Sequence, residues 1–364
     1  MVLSLKNIDY PKWHFIGSKH SIWPWIHENI TFSFNSVVDL FGGTGIISHG
    51  FRLLNKDVYY NDFLKFLQIS VSGLLQSNRG DIIKNEILEE LLKDLDDQLD
   101  DSIFTEMFAN RYFFPDETLM IEKMVLAIEK STCEQVQKNI LYFALFQSCL
   151  KKRPFHTFHG SFLNLRLKKH VQLQTWDLDL ISTFKQSIKS VNSYLEQLPP
   201  NLKPVSVSGN LASLAKPEFF TNDPVDLLYL DPPFISNKKK RTLRFANYIK
   251  NYYVLEYLAN YRKIISKIDN ESDFILKKNY PPAQEMDLWI DQNQKYWLLS
   301  FEKIIKSFQD STIVVSYRAD SLITLDQIKT ILESYKTVII HQRPHIYEKQ
   351  EKESKFNDLL FIAK

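Results

Sequence analysis

The chain has 364 residues, 44% of them hydrophobic and 24% charged, with a formal net charge of +2, which suits a globular protein with a full core and an insertion. So even a charge balance leaves any nucleic-acid contact to local clustering, and two cysteines, Cys133 and Cys149, both in stretches that read as apolar helix, argue against a disulfide framework or a zinc site. No segment reaches membrane-spanning length and no apolar run with a cleavage signal opens the chain, so a cytoplasmic protein with no membrane partner is expected.

The stretch 36–45, Ser-Val-Val-Asp-Leu-Phe-Gly-Gly-Thr-Gly, reads as a short apolar strand, a glycine turn and the start of a helix over 46–54. Of nine glycines in the chain, Gly42, Gly43 and Gly45 fall within four positions. Such a turn lets backbone approach a bound nucleotide closely. The third glycine of a G-x-G-x-x-G fingerprint is missing, which disfavours a dinucleotide with its pyrophosphate on the helix N-terminus. A ligand without phosphate, such as S-adenosylmethionine, fits better. A second strand, 57–62, ends on Asp62, placed to accept hydrogen bonds from ribose hydroxyls. Taken alone, the same pattern also describes a tight turn and a helix cap.

From about 65 to 200 strand signals nearly vanish and helical periodicity dominates. Eight acids and one lysine in 86–101 recur at helical spacing with leucines, the pattern of a solvated helix face rather than of a metal site. Strands resume at 205–208, 225–230, 312–316, 337–341 and 358–362. The expected fold is therefore α/β, a Rossmann-like sheet with helices on both faces. It is built from 1–70 and 200–364 and interrupted by a mostly helical insertion, 71–199.

The run 225–230 has the length and composition of a buried parallel strand. It ends in Asp231-Pro232-Pro233-Phe234. Proline cannot continue a central strand, so the chain leaves the sheet at Asp231. Ligands of open α/β sheets bind outside the carboxyl ends of the strands, which makes this tetrapeptide a candidate site, although a plain strand-end turn would also use it.

Two basic stretches follow the logic of phosphate contact. Residues 151–170 hold six Lys/Arg, three His and no acid, interleaved with aromatics. The candidates there are Lys151, Lys152, Arg153, His156, His159, Arg166 and Lys168. Lys238, Lys239, Lys240, Arg241 and Arg244 lie just beyond the proline turn. His156 and His159 have no acidic or cysteine partner nearby in the sequence, so no metal is expected.

In this order the motifs resemble the Dam-like (class alpha) family of DNA adenine N6-methyltransferases. Phe15-Ile-Gly-Ser-Lys19 is similar to the family's N-terminal aromatic-x-Gly-(Gly/Ser)-Lys motif. Asp39-Leu-Phe41-Gly-Gly-Thr-Gly45 resembles its cofactor loop, Asn61-Asp62 its ribose-binding acid, and Asp231-Pro-Pro-Phe234 its catalytic Asp-Pro-Pro-Tyr/Phe. Asn251-Tyr-Tyr-Val-Leu-Glu256 is similar to a stretch that follows the catalytic motif in many relatives. The match covers about two-thirds of the chain and leaves most of the insertion unmatched. Two positions depart from the pattern: Phe234 replaces the usual tyrosine, and Asn210 stands where relatives often carry the acid that holds the cofactor's adenine. An amide accepts a hydrogen bond but also donates.

The resemblance implies a site-specific enzyme, of a restriction-modification or a solitary bacterial or phage type, with S-adenosylmethionine as cofactor and double-stranded DNA as partner. A cognate restriction endonuclease acting separately on the same site would be a further partner. Phe15, Lys19, Asp39, Phe41, Gly42, Gly43, Gly45, Asp62 and Asn210 would serve the cofactor, and the insertion much of target recognition. Asp231, Pro232, Pro233 and Phe234 would hold the flipped base. An aromatic amine is a poor nucleophile because its lone pair is delocalised. Accepting its two N–H bonds at the Asp231 carboxylate and the Pro232 carbonyl would localise that pair, and Phe234 would stack on the base. Methylation of another exocyclic amine (cytosine N4, or a base in RNA) uses the same chemistry, and a non-catalytic DNA-binding module on this scaffold is the rival from another class.

Overall fold

A computed structural model of the chain describes residues 8–93, 95, 99, 102–153, 156–158, 177–233, 248–261, 294–319, 321, 323–347 and 352–364. The expected nucleotide-binding unit opens it. Helix α1 (Trp23–Asn29) precedes strand β1 (Ser36–Asp39), helix α2 (Ile46–Leu53), strand β2 (Asp57–Asn61) and helix α3 (Lys65–Leu75). Helices α4 (Asn85–Lys93), α5 (Ile103–Phe108), α6 (Pro115–Lys130), α7 (Gln135–Lys151) and α8 (Leu180–Gln197) fill the expected helical insertion. Strands then return as β3 (Ser206–Ser208) and β4 (Leu227–Leu230). Helices α9 (Tyr248–Ala259) and α10 (Gln294–Ser307), β5 (Thr312–Arg318), α11 (Leu325–Glu333), β6 (Val338–Tyr347) and β7 (Lys352–Ala363) complete the described elements.

The seven strands form one sheet in the order β3-β2-β1-β4-β5-β7-β6. The first five are parallel, with Val38 beside both Tyr59 and Leu228, while β7 runs antiparallel to β5 and β6. The order reverses at β1, so the carboxyl ends of β1, β2 and β4 open a crevice at that point.

Strand alternation divides the apolar side chains between two cores. Val37, Leu227, Tyr229, Val314 and Leu360 face one cluster, and Val38, Leu228, Leu230, Val315 and Phe361 face the other. The second cluster is closed by α10 and α11 through residues such as Trp297, Phe301, Ile328 and Leu332. The first is much larger. It joins α2 and α9 to α3 and to insertion helices α5–α8, with Phe104, Ile121, Leu141 and Phe184 all buried in it. The insertion thus packs on α3 as an outer layer of that core rather than standing apart from it.

Both cysteines are free. Cys149 lies buried in α7 as expected, whereas Cys133 sits in the turn between α6 and α7 rather than in a helix. Ser131, which caps the end of α6, stops that helix short of it.

Candidate active site

The crevice at the carboxyl ends of β1, β2 and β4 deepens into a cavity of about 850 Å³, partly open to solvent. The glycine turn forms its floor. Gly42 donates to the Asn61 carbonyl (2.9 Å), and Gly45 donates back to the Gly42 carbonyl (2.9 Å) before starting α2 at φ +73°. A side chain at Gly42 would drive its Cβ to 2.2 Å from the Tyr60 ring, so only glycine lets the turn lie on that ring. The Tyr60 hydroxyl donates to the Gly43 carbonyl (2.8 Å) and Tyr10 to the Thr44 carbonyl (2.8 Å). Held on both sides, the turn is a preformed cradle.

Around it stand most of the residues expected at the cofactor. Phe15, Lys19, Asp39, Phe41, Gly42, Gly43, Asp62 and Asn210 line the cavity, together with Asp231 and Pro233. Pro232 is buried between those last two in sequence. Gly45 lies behind the turn, outside the lining, because its place is the helix start. Phe234 lies outside the described residues.

Asp62 accepts from the Gly43 amide (3.1 Å) through one oxygen and from the Leu64 amide (3.0 Å) through the other. Asp39 accepts from Ser48 (2.7 Å) through Oδ2, while its buried Oδ1 has no partner. Burial pushes the Asp39 carboxyl up to about 7, with Ser48 pulling against it and the charges of Asp231 and Asp62 adding to it. Tyr229, opposite Asp39 across the β1–β4 pairing, lines the same cavity.

Lys19 reaches past the cofactor residues to Asp231. Its ammonium lies 2.5 Å from Oδ2, with the two side chains 14% and 18% exposed. Burial raises the Asp231 carboxyl above the usual range and Lys19 opposes that rise. The N-terminal motif and the proline turn, far apart in the sequence, therefore meet in one charge pair. What the cavity offers is a carboxylate backed by an ammonium at one end, an unpaired buried acid in the middle, and a glycine cradle beside Asp62.

A family model for D12 class N6 adenine-specific DNA methyltransferases matches residues 15–313. The chain belongs to this family. Its membership decides for adenine N6 among the amines considered, and for an enzyme over a binding module. The methyltransferase is 23% identical over 372 residues to the Type II methyltransferase M2.HphI of Haemophilus parahaemolyticus, spanning 99% of both chains. It is 22% identical over 375 residues to the Type II methyltransferase M.FokI of Planomicrobium okeanokoites, spanning 95% of this chain and 51% of that one. The family implies a methyl donor and a DNA substrate. Among the described residues, no helix is long and apolar enough to cross a membrane.

The basic run at the end of α7 needs correction. Lys152 is buried, paired with Glu117 at 2.5 Å and donating to the Leu178 carbonyl at 2.6 Å. Arg153 is buried with its guanidinium 4.7 Å from the Tyr112 ring centroid, donating to the Tyr112 carbonyl at 2.5 Å. Neither can meet a phosphate, because each is a structural cation inside the insertion's own core. His156 packs its ring against His14 at 4.0 Å, with Nδ1 3.1 Å from the Leu150 carbonyl. Lys151 is partly exposed, with its ammonium 3.4 Å from the Gln186 side-chain oxygen. His159, Arg166, Lys168 and Lys238, Lys239, Lys240, Arg241 and Arg244 lie outside the described residues.

Other residues of the site were given no role by the motif reading, although Asn61 and Tyr252 fall inside quoted motifs. Asn61, fully buried, ties three strand ends together. Its amide donates to the Leu40 and Asn210 carbonyls (3.1 Å each), and its oxygen accepts from the Asn210 amide (2.8 Å) and Ser208 (2.9 Å). Tyr248 lines the cavity and stacks on Phe15, and Tyr252 accepts from the Ile16 amide (2.9 Å). Tyr252 falls in the quoted 251–256 stretch, but nothing local marks it as the clamp on residue 16.

Proposed function

We propose that this methyltransferase takes its methyl group from S-adenosylmethionine and that Asp231 and Pro232 hold a flipped adenine of duplex DNA for attack. The observation that carries the reading is the meeting of Asp231, Lys19, Asp39 and the glycine cradle in a single cavity. The orphaned Asp39 Oδ1 is the fit test for the cofactor. A buried acceptor without a partner suits a ligand end bearing an ammonium, as the methionine part does. Asp62 borders the cavity where ribose hydroxyls would lie, and the walls at Phe41 and Phe63 suit a purine.

When bound, S-adenosylmethionine supplies a methyl group activated by its sulfonium. The chain's part is positional. Lys19 favours the ionised form of Asp231, so the carboxylate accepts an N–H of the amine while its other oxygen stays on Lys19. The Pro232 carbonyl accepts the second N–H. Together they draw the nitrogen out of conjugation before attack, and no base need act first. Extrusion of the adenine brings its amine within reach. The insertion 71–199 is read as supplying much of target recognition. The two relatives named Type II methyltransferases support a cognate endonuclease acting at the same site.

Asp231→Ala tests the core of this. Single-turnover transfer of labelled methyl to duplex DNA should fall at least about a thousandfold, roughly 4 kcal/mol of barrier. Cofactor affinity by calorimetry should stay within a few fold. Retention of a tenth of the wild-type rate would remove Asp231 from the chemistry, and mass analysis of the digested product should show N6-methyladenine.

A further inference from the structure

The proline turn raises a mechanical problem. Proline fixes φ at positions 232 and 233 and removes both backbone donors, and Pro233 narrows ψ of Pro232, but neither ring sets ψ of Pro233. Neither proline can donate a hydrogen bond to hold the turn from within. Lys19 holds its first residue, Asp231, from the N-terminal side. Something must hold the other end.

The indole Nε1–H of Trp297, on α10, donates to the Pro233 carbonyl at 3.2 Å. Trp297 is 2% exposed and rigidly held, stacked on Phe301 with ring centroids 5.1 Å apart and packed against Tyr317 of β5 at 5.8 Å. It belongs to the core on the opposite face of the sheet from Tyr229.

We propose that Trp297 is a positioning residue for methyl transfer, fixing the Pro233 carbonyl and with it the peptide plane that presents the Pro232 carbonyl to the base. With φ of Pro233 locked by its ring, anchoring that carbonyl immobilises the whole residue. The nitrogen of Pro233 shares a plane with the Pro232 carbonyl, so that acceptor is held as well. This rests on the reading of Asp231 and Pro232 as the base-holding pair.

Two replacements separate positioning from packing. Trp297→Phe keeps an aromatic ring, and 3-benzothienylalanine at 297 keeps the bicyclic shape with sulfur in place of N–H. Both should lower kcat for duplex DNA by about five- to tenfold, the net worth of one neutral hydrogen bond. Cofactor Kd by calorimetry and KM for DNA should be unchanged, and the benzothienyl variant should melt within about two degrees of wild type. If the benzothienyl protein transfers methyl at the wild-type rate, Trp297 is a core residue and the inference is overturned. Loss of cofactor affinity in parallel with kcat would overturn it too, since the whole site would then have shifted. A wild-type protein that bound S-adenosylmethionine but methylated no duplex DNA would instead overturn the reading of the turn beneath it.

Discussion

At the scale of single residues the site is a set of carboxylates in different electrostatic situations. Asp231 has Lys19 beside it and Asp62 has two backbone amides, but Asp39 is buried with one oxygen unpartnered and is pushed up to about 7. In the proposed reading a ligand ammonium settles beside it. That favours the ionised form, so the carboxyl's pKa falls on binding and a proton leaves. Cofactor affinity should therefore rise with pH up to about 7 and then level off. Calorimetry at pH 6.5 in buffers of different ionisation enthalpy should report release of up to about one proton. Asp39→Asn should abolish both the release and the pH dependence. Proton release that survives in that variant would assign it elsewhere.

At the scale of elements, α3 sets the cavity wall because it starts directly after Asp62. Its first amides, Lys65 and Phe66, donate to the two oxygens of Glu256 on α9 at 3.0 and 3.1 Å. Burial pushes the Glu256 carboxyl up to about 7 against those two donors. A carboxyl raised in the folded state binds its proton more tightly there. Its contribution to stability is complete below about 4.5 and is lost as pH rises through 7. Urea midpoints of Glu256→Gln should accordingly lack a decline on the order of 3 kcal/mol across that window, relative to wild type. The comparison isolates Glu256 from His49, which is held down to about 3 by burial and slopes the opposite way. Further along α3, a Cβ at Gly73 would sit 2.7 Å from the backbone of α7 at Asn139 and Ile140. Backbone cannot yield as a side chain can, so Gly73→Ala should part the two helices. It should cost about 1–3 kcal/mol in denaturant melts, and an unchanged midpoint would contradict the close crossing.

At the scale of the molecule, the larger core runs without a break from the sheet into insertion helices α5–α8. Among the described residues, α3 packs its outer side on α7, so removing the insertion would bare that apolar surface. Replacing residues 80–199 by a short linker should therefore leave a chain without a cooperative thermal transition, and wild type should melt in a single step by near- and far-UV circular dichroism. A shortened protein that melted cooperatively and bound cofactor would mark the insertion as a separate domain. The charged residues of this insertion also show where sequence reading fails. Lys152 and Arg153 have the composition of a phosphate-binding run, yet they fold inward onto Glu117 and Tyr112, both distant in sequence.

What the sequence determined by itself was local. Glycines at 42, 43 and 45 permit a turn that no other residue allows at Gly42, apolar runs alternate into strands, and two prolines end β4 at Asp231. Each of those signals lies within a few residues, where steric limits on backbone torsions act directly. The tertiary structure decided the pairings across the chain: Lys19 with Asp231, Ile16 with Tyr252, Lys65 with Glu256, Pro233 with Trp297. None of these partners announces the other, because a lysine, a tyrosine or a tryptophan in a helix reads the same whether it faces solvent, core or site. Only the parallel order of the sheet, which brings the ends of β1, β2 and β4 to one edge, makes them neighbours.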